Sequence, residues 1–195
     1  MTTQRPSMTT SMTRRLGGAL GALGLLVPAS ALAENFVLEN LNDDGPGSLR
    51  QAIEAANGNG EADMITFNET LADGKIDLSS AQLTIETDPA NLTIDGEVDG
   101  DGRPDITVDA KGRPRVFAIQ DSAEVTLPEV VITGASGTLA NGGGIFNKGT
   151  LTVEGSTIRG NSAGFVSGVT VVTESAVMDR LHLTCRDASH CGISA

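Results

Sequence analysis

The ten residues VTLPEVVITG at 125–134 and the ten residues LTVEGSTIRG at 151–160 read alike position by position, and AVMDRLHLTC at 176–185 continues the series. Val125, Leu127, Ile132 and Gly134 recur 26 residues later as Leu151, Val153, Ile158 and Gly160. They recur 25 residues after that as Ala176, Met178, Leu183 and Cys185. Moving backwards, Leu92 and Ile94 precede Val125 and Leu127 by 33 residues, an interval that contains an acidic insertion of about eight residues within 95–105. Ile65 and Phe67 stand 27 residues before Leu92 and Ile94. A fixed period in the range of about 20–50 residues marks a solenoid. The unit here is alternating strand with Gly and Asn at the corners, so the pattern predicts an all-β fold, a parallel β-helix of about five turns. At about 4.8 Å per turn it would be only about 24 Å long, with Leu92/Ile94, Val125/Leu127 and Leu151/Val153 as inward aliphatic stacks. A β-sandwich also uses many short strands, but it imposes no constant repeat length.

Outward from this core the chain divides into four parts. Residues 1–33 read as a signal peptide: Arg5, Arg14 and Arg15 precede an apolar run from Leu16 to Val27, and Ala31-Leu32-Ala33 supplies a small-x-small cleavage site, leaving Glu34 as the first mature residue. The run is too short for a spanning helix, and nothing later in the chain is apolar enough to cross a bilayer. Export to the periplasm, cell surface or medium is therefore expected, and Arg14-Arg15 leaves both the general and the twin-arginine routes open. Residues 34–63 read as an N-terminal cap, a strand at Phe36–Leu41 followed by a short helix at 48–57. Ser48 and Gln51 are spaced for a capping box there, and Leu49, Ala52, Ile53 and Ala56 share one face. The β-helix then occupies 64–185, and 186–195 is a C-terminal tail with nothing amphipathic to cover the last turn. An uncovered edge of this kind is a template for pairing, so either weak self-association through the C-terminal β edge or continuation of the chain in a longer coil is expected.

Composition narrows the function. The chain of 195 residues carries a formal charge of −12, and the portion after residue 33 has ten basic and 25 acidic residues. Such a surface repels nucleic acid. Trp and Tyr are both absent, so there is no aromatic platform for a sugar ring.

Two blocks carry a family resemblance. Asn42-Asp43-Asp44-Gly45-Pro46-Gly47-Ser48-Leu49-Arg50-Gln51-Ala52-Ile53 resembles the N-terminal block of secreted CSLREA-type β-helix proteins, with Gly47 where the family has Cys and Gln51 where it has Glu. Gly142-Gly143-Gly144-Ile145-Phe146-Asn147, then Gly149-Thr150-Leu151-Thr152-Val153 and Ser156-Thr157-Ile158-Arg159-Gly160-Asn161-Ser162-Ala163, is similar to their repeat. The likeness covers roughly residues 36–164. It implies a surface protein of right-handed β-helix build, allied to polymorphic outer-membrane proteins, with a structural or adhesive role toward an unidentified surface or polysaccharide ligand.

Two sets of residues offer chemistry. Glu97, Asp99, Asp101 and Asp105, with Gly102 at relative position 6 and the Arg103 carbonyl at position 7, follow a D-x-D-x-D-G pattern, in which alternating carboxylates on a tight turn converge on calcium. The competing reading is a solvated acidic loop. His182, Cys185, His190 and Cys191 lie close together, but their spacing fits no common zinc pattern. In an exported chain a Cys185–Cys191 disulfide is favoured, with two free thiols as the alternative. A polysaccharide lyase or hydrolase on a β-helix would need carboxylates from successive turns aimed at one groove. No Asp or Glu is seen to recur at one repeat phase, so the reading favours a non-catalytic module over an enzyme.

Overall fold

Alternation of one inward and one outward residue, interrupted every few positions by Gly, Asn or Ser, yields short strands, and every strand pair runs parallel. The computed structural model describes residues 33–86, 91–137, 143–164, 169–171, 176–179, 182–185 and 193–194, all within the compact unit that spans 31–195. The chain opens with β1 (Asn35–Leu38) and α1 (Leu49–Ala56), then makes β2 (Asp63–Phe67), β3 (Lys75–Asp77) and β4 (Leu83–Ile85). The next circuit is β5 (Asn91–Ile94), β6 (Ile106–Asp109) and β7 (Phe117–Ile119). β8 (Glu124–Pro128), β9 (Val130–Thr133), the two-residue β10 (Ser136–Gly137) and β11 (Ile145–Asn147) follow. β12 (Thr150–Glu154), β13 (Thr157–Ala163) and β14 (Val169–Val171) lead to β15 (Ala176–Asp179), β16 (His182–Cys185) and β17 (Ile193–Ser194).

These strands assort into three sheets that the chain visits in a fixed order. The first runs β1-β2-β5-β8-β12-β15 and the third β4-β7-β11-β14-β17. The second runs β3-β6-β9-β13, with β10 and β16 also on β13. The fold is thus all-β with parallel sheets, and α1 is the single α-helix among the described residues. None of the described helices is long and apolar enough to cross a membrane. The first sheet has six rungs rather than five because β1 pairs in line with β2. The third sheet ends on Ile193–Ser194, within the stretch read from the sequence as a tail.

Most of the repeat register is visible directly. Leu151 faces Val125 on one side and Ala176 on the other, and Val153 faces Leu127 and Met178. Ile158 faces Ile132 and Leu183. Val125, Leu127, Ile132, Leu151, Val153 and Ile158 are all buried in one continuous aliphatic core. Two expected alignments are displaced. Ile65 faces Ile94, not Leu92, and the residue opposite Leu92 is Asp63. A slip of two residues keeps every side chain on its face, so hydrophobic alternation alone does not reveal it. Gly160 likewise does not align with Cys185. The ladder shifts between Arg159 and Asn161, and Asn161 is the partner of Cys185. At that bulge the buried Asn161 amide accepts from Ala135 N at 3.0 Å and donates to Ile132 O at 3.0 Å, restoring bonds that the backbone has dropped. Ser156 does the same at the preceding corner, accepting from Val130 N and donating to Leu127 O, both at 2.9 Å.

The beginning of the stack is closed by side chains from α1 and the loop before it. Ser48 accepts from Gln51 N and Gln51 Oε1 accepts from Gly47 N, so both residues of the expected capping pair are used. Leu49, Ala52, Ile53 and Ala56 are buried, and the helix packs against β1, β2 and β4. Asn57 then behaves as one peptide unit of a missing strand: its Nδ2 donates to Thr84 O and its Oδ1 accepts from Glu86 N. Arg50 donates to Ala81 O and Gln82 O on the same edge. Its guanidinium also meets Asp43 at 2.6 Å, and the second Asp43 oxygen accepts from the backbone N–H and hydroxyl of both Ser79 and Ser80.

Burial would push the Asp43 carboxyl up, but Arg50 and the bonds from Ser80 and Ser79 outweigh it and hold the group well below the usual carboxylate range. A depressed carboxyl contributes stability that is complete above its unfolded value of about 3.9 and is lost as pH falls through the folded value. Asp43→Ala, which strands the Arg50 charge, is expected to cost about 3 kcal/mol at pH 7. In urea titrations the gap between wild type and variant should narrow steadily below about pH 4.

Candidate functional site

The acidic insertion leaves the stack at one closed point. Gly96 N donates to Pro128 O, and Gly96 O accepts from both Asp105 N and Ile106 N. A Cβ at Gly96 would collide with Glu129 O, so only glycine lets the loop root lie this close to the β8–β9 corner. Within the loop Asp105 Oδ2 accepts from Val98 N at 2.7 Å and Asp99 N at 3.2 Å, Glu97 accepts from Gly100 N, and Asp99 accepts from Asp101 N. These bonds draw the carboxylates of Glu97, Asp99 and Asp105 together, with one oxygen of each lying within 4.8 Å of the others. Asp101 and Arg103 are not part of that group. They form a loose pair at 3.9 Å, and the Arg103 side chain is 81% exposed. Asp95, at the base, is pushed above its ordinary value by burial, with the Glu97 charge adding to the effect and a bond from Glu97 N opposing it. Three of the five residues of the expected ligand set are therefore brought together, and each already serves as a brace for the loop.

A second charged group was not legible as a repeat. On the second sheet Asp77 pairs in register with Asp109, and Lys75 reaches both, at 2.8 Å and 3.2 Å. Lys111 approaches the other Asp77 oxygen at 3.5 Å. Gly134 makes room for Asp109, whose carboxylate occupies the place a Cβ at 134 would take. Acids do therefore recur at one phase, contrary to the expectation from sequence. Discounting an excess of about eight residues in the acidic insertion puts Lys75-Ile76-Asp77 in phase with Thr107-Val108-Asp109, which is the signal that would have found them. Their chemistry is that of an ion-pair network. The hydrogen bond from Lys75 lowers Asp77 against the opposing effect of burial, and Asp77 and then Asp109 raise Lys75. Glycoside hydrolysis needs one carboxyl of a pair held protonated near neutral pH, and Lys75 drives Asp77 the other way.

Of the remaining candidates, Cys185 ends β16 opposite Asn161. Cys191, His190, the side chains of Cys185 and His182, and residues 1–32 lie outside the described residues. Comparison with protein-family models, with curated proteins and with solved structures finds no match to this chain.

Removing the central cation of the network should be visible at Asp77. In Lys75→Ala, the Asp77 carboxyl is expected to titrate at higher pH than in wild type, moving back toward the ordinary value of about 3.9. NMR titration of the side-chain carboxyl carbons reads this directly. An unmoved Asp77 would mean that Lys75 does not hold it in solution.

Proposed function

We propose that the three sheets are the faces of a right-handed parallel β-helix, capped at its start by α1, and that the chain is an exported structural or adhesive module of the CSLREA-like kind. The observation that carries this reading is the fixed cyclic visit to three parallel sheets around one aliphatic core. Each circuit buries its inward residues only by stacking on its neighbours, which is how a solenoid is held together. The outward residues then form flat files: Thr93, Thr126 and Thr152 stand in register on the first sheet, a regular polar surface suited to lying along a partner. The leader at 1–33 supports export, and β15 and β17, each paired on one side among the described residues, support self-association at the C-terminal end.

A polysaccharide lyase or hydrolase is the second reading, favoured by the in-register Asp77–Asp109 pair. Incubation with acidic and neutral polysaccharides separates the two. The structural reading expects binding or nothing, with no new reducing ends and no unsaturated products. Release of either, abolished by Asp109→Asn, would replace it with the enzyme.

We also propose that Glu97, Asp99 and Asp105 bind calcium weakly, at about 10⁻⁴ M, and so clamp the insertion. About 10 mM calcium should then stabilise the chain by about 2.7 kcal/mol in thermal melts at constant ionic strength. Asp99→Ala should remove the gain and Asp101→Ala should leave it. An unchanged melting curve leaves only the self-braced loop.

A further inference from the structure

Asp63 occupies a position that the repeat otherwise reserves for aliphatic side chains. Its rung runs Asp63, Leu92, Val125, Leu151, Ala176 along the first sheet. It is 3% exposed, so its carboxylate is withdrawn from water as fully as the leucines beside it. A buried carboxylate is costly unless a cation or several donors meet it. Asn59 Nδ2 reaches one oxygen at 2.8 Å, and the other accepts at 2.8 Å from the backbone nitrogen of Glu34. The shallow hollow beside it is lined by Glu61, Glu86 and Glu124 and by no Lys or Arg. Glu34 itself is fixed in place, since its carbonyl accepts from Met64 N at 3.0 Å.

Glu34 is the first residue after the Ala31-Leu32-Ala33 cleavage site. We infer that Asp63 is a built receptor for the α-ammonium group created on Glu34 when the leader is removed, so that processing completes the first rung of the fold. The inference rests on the export reading above. A leader endopeptidase hydrolyses the Ala33–Glu34 peptide bond with one water: the oxygen joins the Ala33 carbonyl carbon as a carboxylate, and the Glu34 nitrogen leaves as an amine that is protonated at neutral pH. The single neutral N–H that now faces Asp63 becomes a full positive charge at the same place, with its axis already aimed at the carboxylate. Ala33 and Glu34 are both exposed, which leaves the bond open to the peptidase.

The test exports the full chain from a secretion host and sequences the N-terminus of the product. The α-amine is then labelled with a trace acylating reagent near pH 7, in the folded protein and in the same protein unfolded in urea. Expected is a chain that begins at Glu34 and whose α-amine reacts at least about tenfold more slowly when folded, the effect of a one-unit stabilisation of its charged form. Asp63→Asn should restore the reactivity. Acetylation of the wild-type α-amine should lower the melting temperature, which keeps the test open if the variant does not fold. Cleavage before Glu34 with an unprotected α-amine, or with no change in melting on acetylation, overturns the receptor and leaves export standing. Cleavage at any other bond overturns the receptor alone, and a product that stays inside the host with its leader attached overturns both.

Discussion

A parallel strand carries unpaired N–H and C=O groups along both edges, and the whole molecule is organised by the need to satisfy them. Within the stack each circuit supplies the partners of the next, so the interior asks only for aliphatic residues at alternate positions. The demand becomes acute at the corners and at the first rung. There the backbone cannot pair with itself, and a small set of buried and half-buried polar side chains substitutes for it. Ser156, Asn161 and Asn57 each bond both a backbone donor and a backbone acceptor, and Asp43 gathers five donor contacts on two oxygens. These residues, more than the leucines and valines, distinguish this chain from any alternating apolar sequence.

That division explains what could be read from the sequence. The aliphatic register from residue 125 onward was legible, because a hydrophobic stack repeats its own letters: Val125, Leu151 and Ala176 do align. The first circuit was misaligned by two residues because the true partner of Leu92 is a carboxylate, and an Asp is naturally assigned to the outside. Its burial follows from the nearby Glu34 nitrogen, a contact between segments 29 residues apart. The glycine match at 134 and 160 is real in composition, yet the two serve different ends. Gly134 makes room for Asp109, whereas Gly160 lies in a bulge whose ladder is carried on by its neighbour Asn161. Asp77 and Asp109 were missed because the insertion between them breaks the period that would have paired them.

The acidic loop shows a related ambiguity of a chemical kind. A D-x-D-x-D-G spacing is read as a metal loop because alternating carboxylates converge. Convergence here is produced by the backbone N–H groups of Val98, Asp99, Gly100 and Asp101, which the carboxylates of Asp105, Glu97 and Asp99 accept. The same geometry that assembles three carboxylates also partly neutralises them. Sequence spacing reports the gathering of the acids; it does not report which donors do the gathering.

The closure of the first rung by Asn57 and Arg50 bears on the order in which the chain folds. Since α1 occupies the edge of β4, another strand is blocked from adding there, and the stack grows from that end in one direction only. Each new circuit pairs with the one made about 25–33 residues earlier, so its contacts reach back a single step rather than across the whole chain. A ribosome releases the N-terminal segment first. The cap is therefore present before any strand that needs it, and every later strand emerges beside a finished template. The polarity of synthesis and the polarity of the stack coincide, which shortens the time any open edge waits for its partner.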